Sequence, residues 1–295
     1  MKNLTVLNFG SLNIDHVYRV PHFVAPGETL TANAYSRGAG GKGLNQSIAL
    51  ARAGIPVAHA GKIGPEGEFL AEILQNAGVD ISRLIRSDEP TGHAIIQVEA
   101  QAGNSILLFP GANGTISRQE ITSVLESLPA GSVLVLQNEV SHGDFLLTEG
   151  KRLGLRIAIN PAPCTPEVST YDLGAAEWLF VNEIEAEQLS GIADPESAAQ
   201  ELRKRYPNTA ILLTLGGDGS LYLGKEGIFR QPAIPVQAVD TTAAGDTFLA
   251  YFLASALEGG TPQEALLLAA RAAAITVSRP GAADSIPFRK DLDRF

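Results

Sequence analysis

Short apolar runs recur along this chain, separated by stretches with helical spacing, and that alternation limits the fold more than any other feature. The runs Leu4 to Phe9, Val57 to Ala60, Val133 to Gln137, Arg156 to Ile159, Trp178 to Val181 and Ala210 to Leu215 are almost continuously apolar. Strands buried on both faces read this way. Between them lie helical patterns such as Glu68 to Asn76, Arg118 to Ser127 and Ala198 to Tyr206. The alternation predicts an α/β fold, a three-layer, doubly wound, mainly parallel sheet with helices on both faces. Two segments depart from it, Val17 to Arg37 and Gly92 to Pro110, the second reading as two strands around a Gly-Asn turn. They predict a small β-sheet lid, from about residues 12–37 and 91–110, on a single domain spanning 1–295. The last third holds two strongly apolar helices, Gly245 to Leu257 and Pro262 to Val277, and no repeat or linker divides the chain.

Composition narrows the function classes. An apolar share of 45% with 18% charged residues belongs to a globular chain, and no apolar run approaches the ~20 residues of a membrane span. The N-terminus reads as a first strand rather than a signal peptide, so a cytoplasmic location is expected. A net charge of −10 without any basic run argues against nucleic acid and anionic membrane as partners. Cys164 is alone, and the five histidines show no zinc-ligand spacing.

The stretch GAGGKGLNQ, residues 38 to 46, fits two phosphate templates only loosely. A dinucleotide fingerprint needs a buried strand before its glycines, and TANAYSR is not one. A P-loop needs Ser or Thr after its lysine, whereas Gly43 follows Lys42. What remains is a loop whose glycines let backbone approach a small ligand, or an ordinary turn, leading into a helix from about Leu44 to Ala53 with Asn45 in its first turn. In AVDTTAAGDTFLAYFLA, residues 238 to 254, two alanines and a glycine precede an aspartate at a helix start. Exposed N–H groups there make an anion site. Asp246 is then either a helix cap or a carboxylate placed to take a proton from an attacking hydroxyl.

Taken together, the motifs resemble the ribokinase-like, or PfkB-type, carbohydrate kinases. The resemblance covers essentially the whole chain through GSLNIDH, GAGGKGLNQ, PTGHAII, PGAN, LQNE, NPAP, VNEIEAEQLSG, TLGGDG, DTTAAGDTF and RPGAADSIP, in that order. It implies that Asn13, Asp15, Gly41, Lys42, Asn45 and Glu139 hydrogen-bond the hydroxyls of a sugar, most closely ribose. It makes Asp246 the catalytic base and Ala243, Ala244 and Gly245 the anion hole for the transferring phosphoryl group. Asn182 and Glu185 match the N-x-x-E pattern that orients magnesium and phosphate, with Glu185 acting on Mg2+ through water. Thr214, Gly216 and Gly219 fall on the ATP side. Asp240, Thr242, Thr276, Arg279, Gly281 and Ser285 match a monovalent-cation (K+) site.

Without the resemblance, NEIE reads as a helix cap, TLGGDG as a hairpin turn and RPGAADS as a turn. The resemblance also implies a homodimer formed through the lid. Two departures, Gln101-Ala-Gly-Asn104 where relatives often carry Gly-Glu-Asn, and His93 where a smaller residue is common, bear on lid closure and sugar fit. The alternatives are a kinase for deoxyribose, a hexose or a ribonucleoside, or a sugar-binding protein of the same fold without turnover.

Overall fold

The computed structural model describes residues 6–99 and 103–294. Leu4 and Thr5 of the first expected strand, and Gln101 and Ala102 of the lid departure, lie outside the described residues.

In the first half of the chain the strands are β1 (Val6–Phe9), β2 (Asn13–Arg19), β3 (Ala34–Gly40), β4 (Val57–Ile63), β5 (Asp80–Arg86), β6 (Gly92–Val98), β7 (Asn104–Phe109) and β8 (Val133–Gln137). Helices α1 (Lys42–Arg52), α2 (Glu68–Asn76) and α3 (Arg118–Leu125) lie among them. There follow α4 (Gly143–Arg152), β9 (Arg156–Asn160), β10 (Trp178–Asn182), α5 (Glu183–Ser190), α6 (Pro195–Arg205), β11 (Ala210–Thr214), β12 (Ser220–Gly224), β13 (Gly227–Gln231), α7 (Ala244–Leu257) and α8 (Pro262–Val277).

Among the described residues these strands form two sheets. The larger has the order β13-β12-β11-β10-β9-β8-β1-β4-β5 and is parallel from β5 to β11, with β12 and β13 antiparallel at one edge. Its two faces carry separate cores. Helices α1, α2, α7 and α8 pack on one, with Leu44, Ile48, Phe252 and Leu266. Helices α3 to α6 pack on the other, with Ile121, Leu146, Ala186 and Leu202. Helix α7 is buried continuously from Asp246 to Ser255, which explains why it is apolar all round.

From β1 the chain builds to one side through β4 and β5, then crosses to β8 and builds to the other. The order reverses between β1 and β8, and the crevice at the carboxyl ends of strands at such a point is where open α/β sheets bind ligands. The smaller sheet, β3-β2-β6-β7, is entered from that same end, since only residues 10–12 separate β2 from β1.

Several expected boundaries move. Gly38 to Gly40 end β3 and Lys42 opens α1, so the glycine-rich stretch is a strand end and a helix start joined at Gly41. The hairpin of β6 and β7 closes with Glu99 N–H donating to the Gly103 carbonyl and Val98 opposite Asn104. Asn104 therefore opens a strand and does not form the turn. Strands β5, β12 and β13 escape an apolar-run reading. Edge strand β5 alternates exposed Asp80, Ser82 and Arg86 with partly buried residues, while β12 and β13 are five-residue antiparallel pieces.

Candidate active site

Helix α1 starts without a capping side chain of its own. Its N-cap is Gly41 at φ 96°, where an added Cβ would lie 3.0 Å from both the Asn13 nitrogen and the Ser11 oxygen. Only glycine fits that conformation without strain. Neighbouring elements satisfy the exposed N–H groups. The Lys42 N–H donates to Glu139 Oε2 at 2.9 Å, and the Gly43 N–H to Ser11 Oγ at 3.3 Å. Ser11 also donates from Oγ to Glu139. A carboxylate from the end of β8 thus seats the positive end of α1.

Around this junction the expected sugar residues converge. Asp15, on β2, has its pKa raised to about 6, first by burial and then by the charge of Glu139. Glu139 is also raised, by burial, against the opposing pull of Lys42. For Lys42, burial works against the charge, but the carboxylates of Asp246, Glu139 and Glu185 outweigh it and raise the pKa. One ammonium thus sits among three carboxylates. Asn13 Oδ1 accepts from Asn113 Nδ2 at 2.9 Å, and Asn113 also bonds both backbone groups of Leu12. His93 does not join this group. Strand register sets Ala94 beside Asp15, while His93 points to the other face, against Phe109 and His16 at ring separations of 5.1 and 5.8 Å.

Asp246, only 6% exposed, lies in the first turn of α7. Its Oδ2 accepts from Asn45 Nδ2 at 3.1 Å and its Oδ1 from Gln46 Nε2 at 2.9 Å. It is not the N-cap; that position is Ala243, at φ 63° and ψ 5°. A left-handed alanine costs about 1 kcal/mol, and such strain gathers at functional loops. An added Cβ on Gly245 would meet nothing within 4 Å, so the approach to this helix end is open.

The next group lies at the ends of β9, β10 and β11. Asn182 and Glu185 form a reciprocal capping box on α5, as the local motif alone suggests. Glu185 also accepts from Asn160 Nδ2 at 3.3 Å. Its pKa is raised by burial, which the Asn182 backbone and Lys42 oppose and Asp246 reinforces. Thr214 is the register partner of Asn182, and the turn beyond it joins β11 to antiparallel β12. Gly219, at φ 102°, admits no side chain, because a Cβ would lie 2.2 Å from the Gln231 carbonyl.

Of the expected cation residues, Asp240, Thr242 and Gly281 come together. Asp240 accepts from the Thr242 N–H (2.9 Å) and hydroxyl (2.7 Å) and from the Gly281 N–H (3.0 Å). Despite burial, these bonds hold its carboxyl below the usual range. Thr276 is bonded to Thr247 of α7 at 3.1 Å. The side chains of Arg279 and Ser285 turn elsewhere, to Asp291 and to the Ala282 carbonyl.

The sequence reading did not single out Ser11, Gln46, Asn113, Gln137 or Asn160. All five lie inside quoted motifs, but nothing local marks them. What marks them in the structure is a buried or, for Asn160, part-buried polar side chain whose partner lies far along the chain.

The model for "pfkB family carbohydrate kinase" matches residues 3–289. The chain is 37% identical to the ribokinase of Haemophilus influenzae over 304 residues, covering 100% of this chain and 98% of the relative. The solved structure of Thermotoga maritima ribokinase superposes with a TM-score of 0.88 at 33% identity, over 99% of this chain and 98% of that one. Arabidopsis thaliana ribokinase, solved with ribose and ATP, gives a TM-score of 0.87 at 29% identity, over 100% and 98%.

Proposed function

The chain belongs to the pfkB family of carbohydrate kinases, and on that premise we propose that it transfers the γ-phosphoryl group of ATP to the 5-hydroxyl of D-ribose. The observation that carries the reading is the meeting of two helix starts. Asp246 at the head of α7 is bonded to Asn45 at the head of α1, beside Lys42, and Glu139 couples Lys42 to Asp15.

Asp246 takes the proton of the primary hydroxyl while that oxygen forms the new bond to phosphorus. The bond between the γ-phosphorus and the β,γ-bridging oxygen breaks, and ADP leaves with the electron pair. The N–H groups of Ala243, Ala244 and Gly245 stabilise charge on the transferring group. Asn45 spends its nitrogen on Asp246, and its buried Oδ1 has no partner among the described residues, which suits it to accept from a sugar hydroxyl. Asp15, Lys42, Asn13 and Glu139 supply the remaining donors and acceptors, and backbone approaches at Gly41.

Asn182, Thr214, Gly216 and Gly219 line the nucleotide side. The oxygens around Glu185 suit a hard divalent ion, and magnesium supplies charge neutralisation on the phosphates when bound with ATP. Such a cation also offsets the burial that raises the Glu185 pKa. Asp240, tying the anion loop to the loop at Gly281, supports K+ activation through carbonyls of the Thr242, Thr276, Arg279, Gly281 and Ser285 segment.

Strand β7 supports a homodimer. Ile106, Leu107, Leu108 and Phe109 are 57, 68, 42 and 48% exposed. Register places Ile106 and Leu108 on the same face as Asp15, so a second copy covering them closes over the sugar side.

The test is ADP release from MgATP over ribose, deoxyribose, fructose and ribonucleosides, with and without K+. Ribose should dominate and Asp246→Asn should lose nearly all turnover. Asp246-dependent turnover of another acceptor reassigns the sugar, and ribose binding without turnover overturns catalysis.

A further inference from the structure

Behind Asp246 runs a chain of buried polar side chains that the phosphoryl-transfer reading leaves without a role. Gln46 donates from Nε2 to Asp246 Oδ1 at 2.9 Å. Gln137 Nε2 donates both to Gln46 Oε1 (2.6 Å) and to Asn8 Oδ1 (2.8 Å). Asn8 Nδ2 in turn donates to the Gly43 carbonyl and to Ser47 Oγ, both at 2.8 Å, and Ser47 Oγ lies 2.8 Å from His59 Nδ1. Every member is at least 98% buried.

The amide orientations fix one another. Gln137 and Asn8 each use both amide hydrogens, so turning either would set acceptor against acceptor. Because Gln137 fills the Gln46 oxygen, Gln46 must present its nitrogen to Asp246. Asn45 holds the other oxygen of the same carboxylate, so consecutive residues of α1 grip both. Backbone makes room for this arrangement. A Cβ on Gly10 would lie 2.1 Å from Gln137 Oε1 and 2.7 Å from the Gly43 Cα.

We propose that Gln46 and Gln137 are positioning residues, which hold the Asp246 carboxylate in its proton-accepting orientation through the chain anchored at Asn8, Ser47 and His59. The chain is a scaffold and not a proton relay. Side-chain amides do not shuttle protons, and His59, with its pKa driven down to about 3 by burial, stays neutral. Stability does not account for it either. Replacing hydrogen-bonded buried amides with apolar groups of the same shape is often neutral or stabilising, so a purely structural network gives no reason for polar groups here.

The proposal rests on Asp246 as the base, and the test separates the two. Gln46→Met, Gln137→Met, their double variant and Asp246→Asn are compared with wild type by steady-state kinetics in MgATP and ribose, or whichever acceptor the wild type phosphorylates, and by thermal unfolding. Losing a hydrogen bond to a charged group predicts a kcat fall of about 10- to 100-fold for Gln46→Met, with both KM values within about twofold and a lowered Tm, because Gln137 Nε2 and Asp246 Oδ1 each lose a buried partner. Gln137→Met, one bond removed, falls by about 3- to 10-fold, and the double variant is no worse than Gln46→Met because the residues act as one unit.

A Gln46→Met enzyme with kcat within about twofold of wild type, or with a raised ribose KM at unchanged kcat, overturns the proposal. Additive losses in the double variant do the same. Should Gln46→Met fail to fold, Gln137→Met, which does not touch Asp246, decides alone. If Asp246→Asn keeps turnover, the base assignment itself fails; if it is dead while both Met variants are normal, only the positioning role fails.

Discussion

The two sheets solve the same physical problem in opposite ways. The nine-stranded sheet is sealed by its own chain, with helices over both faces and Leu212 of β11 at 0% exposure. The four-stranded sheet leaves β7 exposed along its whole length, apolar side chains included. One sheet is covered by its own helices; the other leaves an apolar strand coverable. The candidate site lies where they meet, so it draws its proposed base and anion loop from the covered side and Asn13 and Asp15 from the coverable side.

The comparison can be tested from its strongest contrast to its weakest. On the covered side, Asp246→Asn should lower kcat by ~10²- to 10⁴-fold while leaving sugar binding largely intact, as kinetics with equilibrium binding will read. An equal loss of binding would erase the division of labour. Packing comes next. Leu212→Ala should cost about 2–5 kcal/mol by denaturant unfolding, whereas a polar substitution on exposed β7 should stay within about 0.5 kcal/mol.

On the coverable side, Asp15→Asn should raise the sugar KM by about 10- to 100-fold with a smaller change in kcat. The pH dependence sharpens this. With a pKa near 6, Asp15 loses its charge as pH falls through 6, so the wild-type sugar KM should climb there, and the Asn variant should lose that part of the dependence.

Stability moves the other way. The folded pKa is about 6 against an ordinary 3.8, so between those values the folded state holds a proton that the unfolded chain does not. Stability therefore declines as pH rises across that window. Asp15→Asn should raise Tm above pH 6 and lose the advantage below pH 3.8. A site residue that weakens the fold at working pH is what a stability and function trade-off predicts. The mildest change is Leu108→Lys, which should leave monomer unfolding almost unchanged but shift sedimentation velocity toward monomer. Unchanged sedimentation would remove the lid pairing.

Much of this was legible in one dimension. The six apolar runs became central strands, Glu68 to Asn76 and Pro262 to Val277 became helices with those bounds, and the family was readable from ten ordered motifs. Buried parallel strands have no polar face, so their composition announces them. Edge strands β5 and β13 escaped because an edge faces solvent and reads like a loop, and β12 escaped because its buried run is only five residues long and bounded by glycines. The face that His93 takes was not legible because a strand's alternation decides it, and only register with β2 and β7 settles which one.

Sequence by itself determined the layers, the helix starts that bear charge chemistry, and the family, because propensity, periodicity and local motifs act between near neighbours. Tertiary structure alone decided which distant side chains share a charge or a hydrogen bond. Lys42 gathers carboxylates from Glu139, Glu185 and Asp246, and Gln46 meets an aspartate 200 positions away. The Gln46 contact comes from packing α1 against α7, and the others from the loop after β8 and the start of α5. The energetics of a buried charge depend on what surrounds it in space, which chain order does not record.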